Sequence, residues 1–332
     1  IEAGPGYRKA HDNLLFTMNY LPGLTQVEIY EAHRRWGADQ TATSGLAGKA
    51  AHPSAGQAGH PLRIGYVSPD FYTHSVAYFF EALLDARDRD VFSIACYSNV
   101  EKPDLTTERL KKKVDQWVPI EEMSDEAVAE KIRQDEIDIL VDLAGHTAGN
   151  RLAVFASKPA PIQVTWLGYP NTTGLETIDY RITDHVADPV GESDLLHTEK
   201  LVRIDGPFLC YRPSRDAPDV SVLPAIDAGY VTFGSFNNIS KINPAVIRVW
   251  SDILHAVSGS RILLKDGAFS DDKVRENFLK QFSVCDVGPE RIDFQGKLPK
   301  TREHLNYYER VDVALDTFPY NGTTTTCEAM WM

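Results

Sequence analysis

The sequence has few cysteines, an excess of negative charge and no long apolar run. Its four cysteines, Cys96, Cys210, Cys285 and Cys327, form no CxxC pair. This argues against a structural zinc site or a redox dithiol and favours a reducing compartment. No apolar stretch reaches the ~18 residues that a membrane span needs, and no signal-peptide pattern is present. We therefore expect a cytoplasmic protein that does not bind a membrane.

Basic residues are outnumbered by acidic ones, 34 to 47, so the formal net charge is −13. A nucleic-acid binder would need a basic footprint, and we expect no nucleic-acid partner. A small phosphorylated ligand at one local site is still compatible with this charge, because net charge does not describe local fields. The carboxylates show no metal-ligand spacing, so the sequence calls for no metal and no bound cofactor.

The first 60 residues differ in character from the rest. Apolar spacing predicts a helical segment at 1–38, with helices at 9–21 and 25–36. Thr25 and Glu28 have the spacing of a capping box. Residues 39–60 are small, polar and aperiodic, which predicts a linker. Because the sequence begins with Ile1, we expect a trimmed product.

From residue 61 onward, short apolar strands alternate with helices, which predicts parallel α/β sheets. With 332 residues, the chain is long enough for two such domains. We expect an N-terminal Rossmann-like half at 61–205, a Pro- and Asp-rich connection at 206–228 and a C-terminal half at 229–332. The two halves are expected to face a cleft, with ligands beyond the carboxyl ends of the strands. The chain stops inside a predicted helix after Thr323, so the second half is expected to be incomplete.

The first half contains two polar segments that directly follow strands. In SPDFYTHS, residues 68–75, His74 lies where a helix begins. A histidine there can act as a base or bind a phosphate-linked sugar, and the alternative is a solvated cap. In DLAGHTAGN, residues 142–150, glycines allow close backbone approach and His146 could point into the cleft. A glycine turn with an exposed histidine is the alternative, and the segment WLGYPNTTG, residues 166–174, is equally compatible with a plain loop.

The second half contains two segments suited to binding an anion. Lys241 in FGSFNNISK, residues 233–241, precedes a helix and adds a charge to free backbone N–H groups, although a surface lysine is the alternative. The segment is not a Walker A loop. After Asp316, Gly322 and four threonines open another helix, in which Glu328 could accept two ribose hydroxyls. The alternative is an ordinary helix N-terminus with several possible capping side chains. Threonines are poor helix formers, which favours the binding interpretation.

Together these segments suit group transfer from a nucleotide diphosphate donor. The anion donors lie mostly in the second half and the candidate base lies in the first. Lys241 and helix dipoles can neutralise the donor phosphates in place of a metal.

Five motifs resemble the O-GlcNAc transferase/SPINDLY family of protein O-glycosyltransferases, and the resemblance covers nearly the whole chain. They are YVSPDF, DLAGHT, PAPIQVTWLGYPNTTG, TFGSFNNISKI and LDTFPYNGTTTTCEAMW. The resemblance implies a glycosyltransferase B fold and inverting, metal-independent transfer to Ser or Thr of acceptor proteins. The family usually carries tetratricopeptide repeats before this region, and only the helices at 1–38 could belong to them, since no 34-residue repeat is present.

The resemblance also assigns roles to individual residues. His74 matches the family histidine near the sugar and acceptor, and Lys241 matches the lysine that stabilises the leaving diphosphate. His146 matches a position where the family has His or an aromatic residue. The remaining matches concern the nucleotide: Asn238 beside the lysine, Lys300 and His304 at the nucleobase, Thr324 and Thr325 at the phosphates, and Glu328 at the ribose.

The sequence leaves three functions open. Transfer of GlcNAc from UDP-GlcNAc is the first. A SPINDLY-like O-fucosyltransferase that uses GDP-fucose is the second, and a non-catalytic module that binds a nucleotide sugar or a protein is the third. The presence of His74, Lys241, Thr324 and Glu328 argues against the third, and of the two enzymes we favour the first.

Overall fold

The computed structural model describes residues 8–43 and 61–332, so most of the predicted linker lies outside the described residues. The chain divides into two compact units. The first extends to Arg212 except for Tyr20–Gly23, and the second comprises Tyr20–Gly23 and Pro213–Met332. The boundary therefore falls inside the predicted connection at 206–228.

Two N-terminal helices, α1 (Arg8–Met18) and α2 (Gln26–Thr43), lie where helices were expected. The capping box of α2 is confirmed: Thr25 N–H donates to Glu28 Oε2 at 2.8 Å and Glu28 N–H donates to Thr25 Oγ1 at 3.2 Å. The expected end of this helix at residue 36 is wrong. Gly37 does not end the helix but allows close contact, because a Cβ there would lie 1.8 Å from the Gly174 carbonyl oxygen.

The first unit continues as a doubly wound α/β domain. Its strands are β1 (Leu62–Ser68), β2 (Phe92–Ser98), β3 (Gln116–Pro119), β4 (Ile139–Asp142), β5 (Ile162–Thr165), β6 (Tyr180–Asp184) and β7 (Lys200–Ile204). Its helices are α3 (Ser75–Ala86), α4 (Leu105–Lys111), α5 (Asp125–Gln134) and α6 (Leu152–Ala156). The strands form one parallel sheet in the order β3-β2-β1-β4-β5-β6-β7. Sequence patterning did not indicate α4, α6, β3 or β7, all of which are seven residues or shorter.

The first sheet is covered on both faces. Along β2, Ile94 and Cys96 belong to the apolar cluster that contains α3, whereas Ala95 and Tyr97 belong to the cluster that contains α5. Leu15 of α1 and Trp36 of α2 join the second of these clusters. The N-terminal helices are therefore part of the first unit and do not form a separate segment.

The second unit repeats the plan with fewer strands. Its strands are β8 (Thr232–Ser235), β9 (Arg261–Lys265), β10 (Ile292–Gln295) and β11 (Val313–Ala314). Its helices are α7 (Ala225–Ala228), α8 (Pro244–Ala256), α9 (Asp272–Ser283), α10 (Thr301–Asn306) and α11 (Thr324–Trp331). The parallel sheet has the order β10-β9-β8-β11. Trp250 of α8 and Phe282 of α9 pack on one face, and Leu305 of α10 packs on the other.

Each sheet has one point where the strand order reverses, between β1 and β4 in the first and between β8 and β11 in the second. Loops beyond the carboxyl ends of the strands diverge there and leave room for a ligand. The segments at 68–75 and 142–150 follow β1 and β4, and those at 233–241 and 316–328 follow β8 and β11. None of the described helices is both long and apolar enough to cross a bilayer.

Candidate active site

The loop between β11 and α11 is organised by one carboxylate. Asp316 Oδ1 accepts hydrogen bonds from the Thr317 N–H at 2.8 Å, the Gly322 N–H at 2.7 Å and Asn237 Nδ2 at 3.0 Å. Asp316 Oδ2 accepts from Thr326 Oγ1 at 3.1 Å. The carboxylate thus holds the loop against the start of α11 and joins it to the segment that follows β8.

The helix α11 presents an open N-terminus. It begins at Thr324, and the preceding Thr323 makes no side-chain capping hydrogen bond. Thr325 Oγ1 donates to Asn237 Oδ1 at 2.9 Å, which fixes the first turn against the other loop. Amide groups in the first turn of a helix have no partner within the helix and favour a bound anion. Thr324 and Thr325, the predicted phosphate ligands, both lie in this turn.

Lys241 lies against the same loop. It ends a short 3₁₀ turn after β8, and its Nζ donates to the Asn321 carbonyl at 2.7 Å. The ammonium lies 4.0 Å from the centre of the Tyr320 ring. Burial lowers the pKa of Lys241 to about 8, whereas the nearby Asp316 carboxylate acts in the opposite direction.

Asn238 supports the turn that carries Lys241. It is exposed, and its Oδ1 accepts the Ser240 N–H at 2.9 Å, which caps the 3₁₀ turn. Its contact therefore orients the lysine through the backbone.

The predicted nucleoside ligands are only partly brought together. His304 Nε2 and Glu328 Oε2 are 2.9 Å apart, so these two residues form one unit at the side of α11. Lys300 lies at the start of α10 with 75% of its side chain exposed and pairs with Glu303 at 3.3 Å. The His304 N–H donates to the Lys300 carbonyl at 3.0 Å within α10, whereas among the described residues the Lys300 side chain shows no hydrogen bond to His304 or Glu328.

In the first unit, His74 caps helix α3. Its Nδ1 accepts the Val76 N–H at 3.3 Å, and burial lowers the pKa of the ring. Nδ1 also lies 3.6 Å from Asp70 Oδ1, beyond hydrogen-bond distance. A neutral ring whose Nδ1 accepts carries its hydrogen on Nε2. The geometry therefore favours His74 as a hydrogen-bond donor over His74 as a base.

Asp70 is a buried carboxyl group at the switch point of the first sheet. It is 8% exposed, and its backbone N–H donates to Ser68 Oγ at 3.0 Å. Burial and, to a smaller extent, the Asp142 carboxylate raise the pKa of Asp70 to about 7. A group that titrates near neutral pH in such a place is a candidate functional residue.

His146 does not point into an open space, which corrects the interpretation of this residue as catalytic. Its side chain is fully buried. Nδ1 lies 2.8 Å from Asp12 Oδ1, and Nε2 lies 2.8 Å from the Thr173 carbonyl oxygen. Both ring nitrogens are therefore occupied by protein partners. His146 therefore connects α1 to the loop after β5 and offers no atom to a substrate.

Sequence reasoning missed several residues that shape the site. Asn237 and Asp316 lay inside the segments already singled out, but only the folded structure pairs them across the two loops. Lys265 ends the otherwise apolar core of strand β9 and is 8% exposed. A charged residue at the end of an apolar strand is a signal that the sequence itself contains.

Comparison with known proteins decides the family. The model of glycosyl transferase family 41 matches residues 11–211 and 223–332. The chain belongs to this family. A solved structure of a mutant O-GlcNAc transferase from Thermobaculum terrenum superposes on this chain with a TM-score of 0.92 at 35% identity. This match confirms the fold expected from the resemblance, two Rossmann-like domains of glycosyltransferase B type. That match covers 99% of this chain and 62% of the other.

The curated family 41 relatives are longer proteins. A "probable UDP-N-acetylglucosamine–peptide N-acetylglucosaminyltransferase SPINDLY" of Solanum lycopersicum is 45% identical over all of this chain, which spans 36% of that protein. A relative with the same enzyme name, called SEC, from Arabidopsis thaliana is 32% identical over 81% of this chain, which spans 28% of it. The family 41 chain thus spans about a third of the length of these plant proteins.

Proposed function

We propose that this family 41 chain carries the catalytic region of a protein O-glycosyltransferase that moves a sugar from a nucleoside diphosphate to Ser or Thr hydroxyls. The observation that supports this best is the arrangement around α11. An open helix N-terminus with two threonines, a lysine against its loop and a His–Glu pair one turn further lie within one domain. The helix N-terminus suits the phosphates of a nucleotide sugar, the lysine suits the leaving diphosphate, and the His–Glu pair suits the ribose.

The residues of the second unit would act mainly on the leaving group. Glycosyl transfer forms a bond between the hydroxyl oxygen and the anomeric carbon, breaks the bond from that carbon to the diphosphate, and releases the hydroxyl proton to the departing diphosphate or to water. Negative charge grows on the diphosphate as this bond breaks. Lys241 and the first turn of α11 are placed to stabilise that charge without rearrangement. In the first unit, His74 would offer an Nε2–H donor to the sugar or the acceptor.

For the donor we propose UDP-GlcNAc, because curated relatives such as the SPINDLY and SEC proteins carry that enzyme name. Metal-independent transfer is part of the proposal, with Lys241 and the dipole of α11 in the place of a cation. The acceptor would be a protein. Cytoplasmic localisation stays a prediction.

The test is calorimetric binding of UDP and of GDP to the full-length protein in EDTA, followed by transfer assays with UDP-GlcNAc and a peptide mixture. We expect UDP to bind more tightly than GDP and sugar to be transferred. Lys241→Ala should slow transfer roughly 100-fold, because it removes a charge-assisted contact to the leaving group. Lys280→Ala, an exposed lysine on α9 of the same unit, is the matched control and should not change the rate.

Each contrary result has a clear meaning. Tight GDP binding with weak UDP binding would replace the proposed donor. Binding of neither nucleotide would refute the transferase and favour a binding module. Normal transfer by Lys241→Ala would refute the role of Lys241 in stabilising the leaving group. Loss of transfer in EDTA that returns with a divalent cation would refute metal independence.

A further inference from the structure

Lys265 is a buried lysine in the second unit to which the proposed function assigns no role. It is the last residue of β9, and only 8% of it is exposed. Its Nζ lies 2.5 Å from His304 Nδ1 and 5.2 Å from the centre of the Phe236 ring. Burial lowers the pKa of Lys265, while the charge on Glu328 acts in the opposite direction. Burying an ammonium group is costly unless it is paired, so its partner matters.

The contact with Lys265 determines where His304 carries its hydrogen. An ammonium group can only donate, so His304 Nδ1 must accept. A neutral ring that accepts at Nδ1 carries its hydrogen on Nε2. That nitrogen is 2.9 Å from Glu328 Oε2, a carboxylate oxygen that can only accept when ionised. Lys265, His304 and Glu328 therefore form one directed chain of hydrogen bonds.

The same contacts hold the His304 ring in one orientation. Its centre is 6.1 Å from that of Phe236 and 6.0 Å from that of Tyr308, the latter in an edge contact. Both ring nitrogens are engaged, so His304 has a fixed aromatic face, and 22% of its side chain is exposed. In the described part of the chain, the Glu328 carboxylate is hydrogen-bonded through Oε2, which leaves Oε1 for a ligand hydroxyl.

We propose that Lys265 is a positioning residue for the nucleoside half of the donor, acting through His304 and Glu328 without contacting the reacting atoms. This rests on the proposed function of the site. The chain of hydrogen bonds prepares two ligand groups at once, a planar face for a base and a carboxylate oxygen for a ribose hydroxyl. Preparing both before the donor binds lowers the ordering cost of binding.

A purely structural explanation accounts less well for a lysine here. Lys265 ends a strand whose previous residues, Ile262, Leu263 and Leu264, are all buried. A methionine would fill the same space without the cost of burying a charge. The lysine also lies at the carboxyl end of its strand, the edge at which parallel sheets bind ligands.

The test compares Lys265→Met, Lys265→Arg, His304→Phe and the double variant of Lys265→Met with His304→Phe in the full-length protein. Lys265→Met should raise the UDP Kd and the donor KM about tenfold, the effect of one lost hydrogen bond to a charged group. The kcat at saturating donor should change less than about twofold, because chemistry occurs at the other end of the donor. Lys265→Arg should recover part of the loss, since it still donates.

The double variant separates positioning from direct contact. If Lys265 acts through His304, adding Lys265→Met to His304→Phe should weaken UDP binding little further. Additive losses would instead mean that Lys265 touches the nucleotide itself and would overturn the proposal. Normal UDP binding by a folded Lys265→Met variant would overturn it as well.

A spectroscopic measurement on the unmodified protein does not depend on the folding of any variant. The imidazole signals of His304 in a nitrogen-15 NMR spectrum are identified as those that disappear in His304→Phe. Their chemical shifts should show that His304 carries its hydrogen on Nε2. The other tautomer would refute the hydrogen-bond chain while leaving UDP binding intact. If the unmodified protein binds no UDP, the proposed function fails, and the inference fails with it.

Discussion

At the scale of single residues, burial sets the charges of the candidate site. Lys241 and Lys265 are both ammonium groups whose pKa is lowered mainly by burial, and Asp70 is a carboxyl group whose pKa is raised by it. The sequence identified Lys241, because it stands beside a helix start. It could not identify the state of Asp70, because that depends on the burial of its carboxyl group and on the distance to Asp142, which ends a different strand.

The pKa of Lys241 predicts how nucleotide binding varies with pH. The ammonium form binds the diphosphate, and burial lowers its pKa to about 8, so the free protein loses this charge as the pH rises through that value. UDP affinity should therefore fall above about pH 8, where the diphosphate itself is already ionised. Calorimetric titration between pH 7 and pH 10 measures this, and Lys241→Arg should show a flatter profile. A fall of equal steepness in Lys241→Arg would contradict the assignment.

The pKa of Asp70 predicts how stability varies with pH. Its folded pKa of about 7 lies above the ordinary value of 3.8, so the protonated form is the one that folding favours. The stabilisation from this group is present below about pH 4 and is lost as the pH rises to 7. Above pH 7 the buried carboxylate costs up to about 4 kcal/mol.

Asp70→Asn should consequently be more stable than the unmodified protein at pH 8, and this advantage should be clearly smaller at pH 5, where the folded Asp70 is protonated. Urea unfolding at both pH values measures the difference. Asp90→Asn, at an exposed aspartate in the same unit, should change stability little at either pH. Equal stability of Asp70→Asn and the unmodified protein at pH 8 would show that Asp70 is not a buried, weakly ionised group.

At the scale of elements, the N-terminal helices are joined to the first sheet by buried polar groups as well as by apolar packing. His33 of α2 lies 2.8 Å from the Tyr169 hydroxyl and 2.7 Å from the Ile29 carbonyl. Burial, followed by the charge on His146, lowers the pKa of His33 to about 3. A neutral His33 donates one ring N–H to the Ile29 carbonyl and accepts from the Tyr169 hydroxyl at the other nitrogen. It therefore adds no charge next to the buried His146 ring.

Removal of one partner from the Asp12–His146 pair should therefore destabilise the protein more than it slows the reaction. Asp12→Ala leaves a buried ring without its carboxylate and should cost about 3 kcal/mol in urea unfolding. Transfer per folded molecule should fall less than about threefold. A large loss of kcat at normal stability would restore the catalytic interpretation of His146. Asp205→Ala, at an exposed aspartate of the same unit, is the control and should change stability little.

At the scale of the whole molecule, the family plan was visible before the structure. Alternating strands and helices predicted two parallel α/β domains, and the polar segments after the strands predicted where each would bind a ligand. The sheet orders confirm the first expectation. They also reverse beside those segments, while ligand binding there stays a prediction. The boundaries were less predictable, because α2 passes through Gly37 and the short strand β7 has no strong periodicity.

The sequence alone determined the class of fold, the family and the segments proposed to carry the site, since strand periodicity and loop composition are local properties that adjacent residues encode. Only the tertiary structure decided that His146 is a buried connector, that Asp70 titrates near neutral pH and that Lys265 reaches His304 across 39 positions of sequence. These features depend on distances between separate elements and on the exclusion of water, and neither exists until the chain has packed.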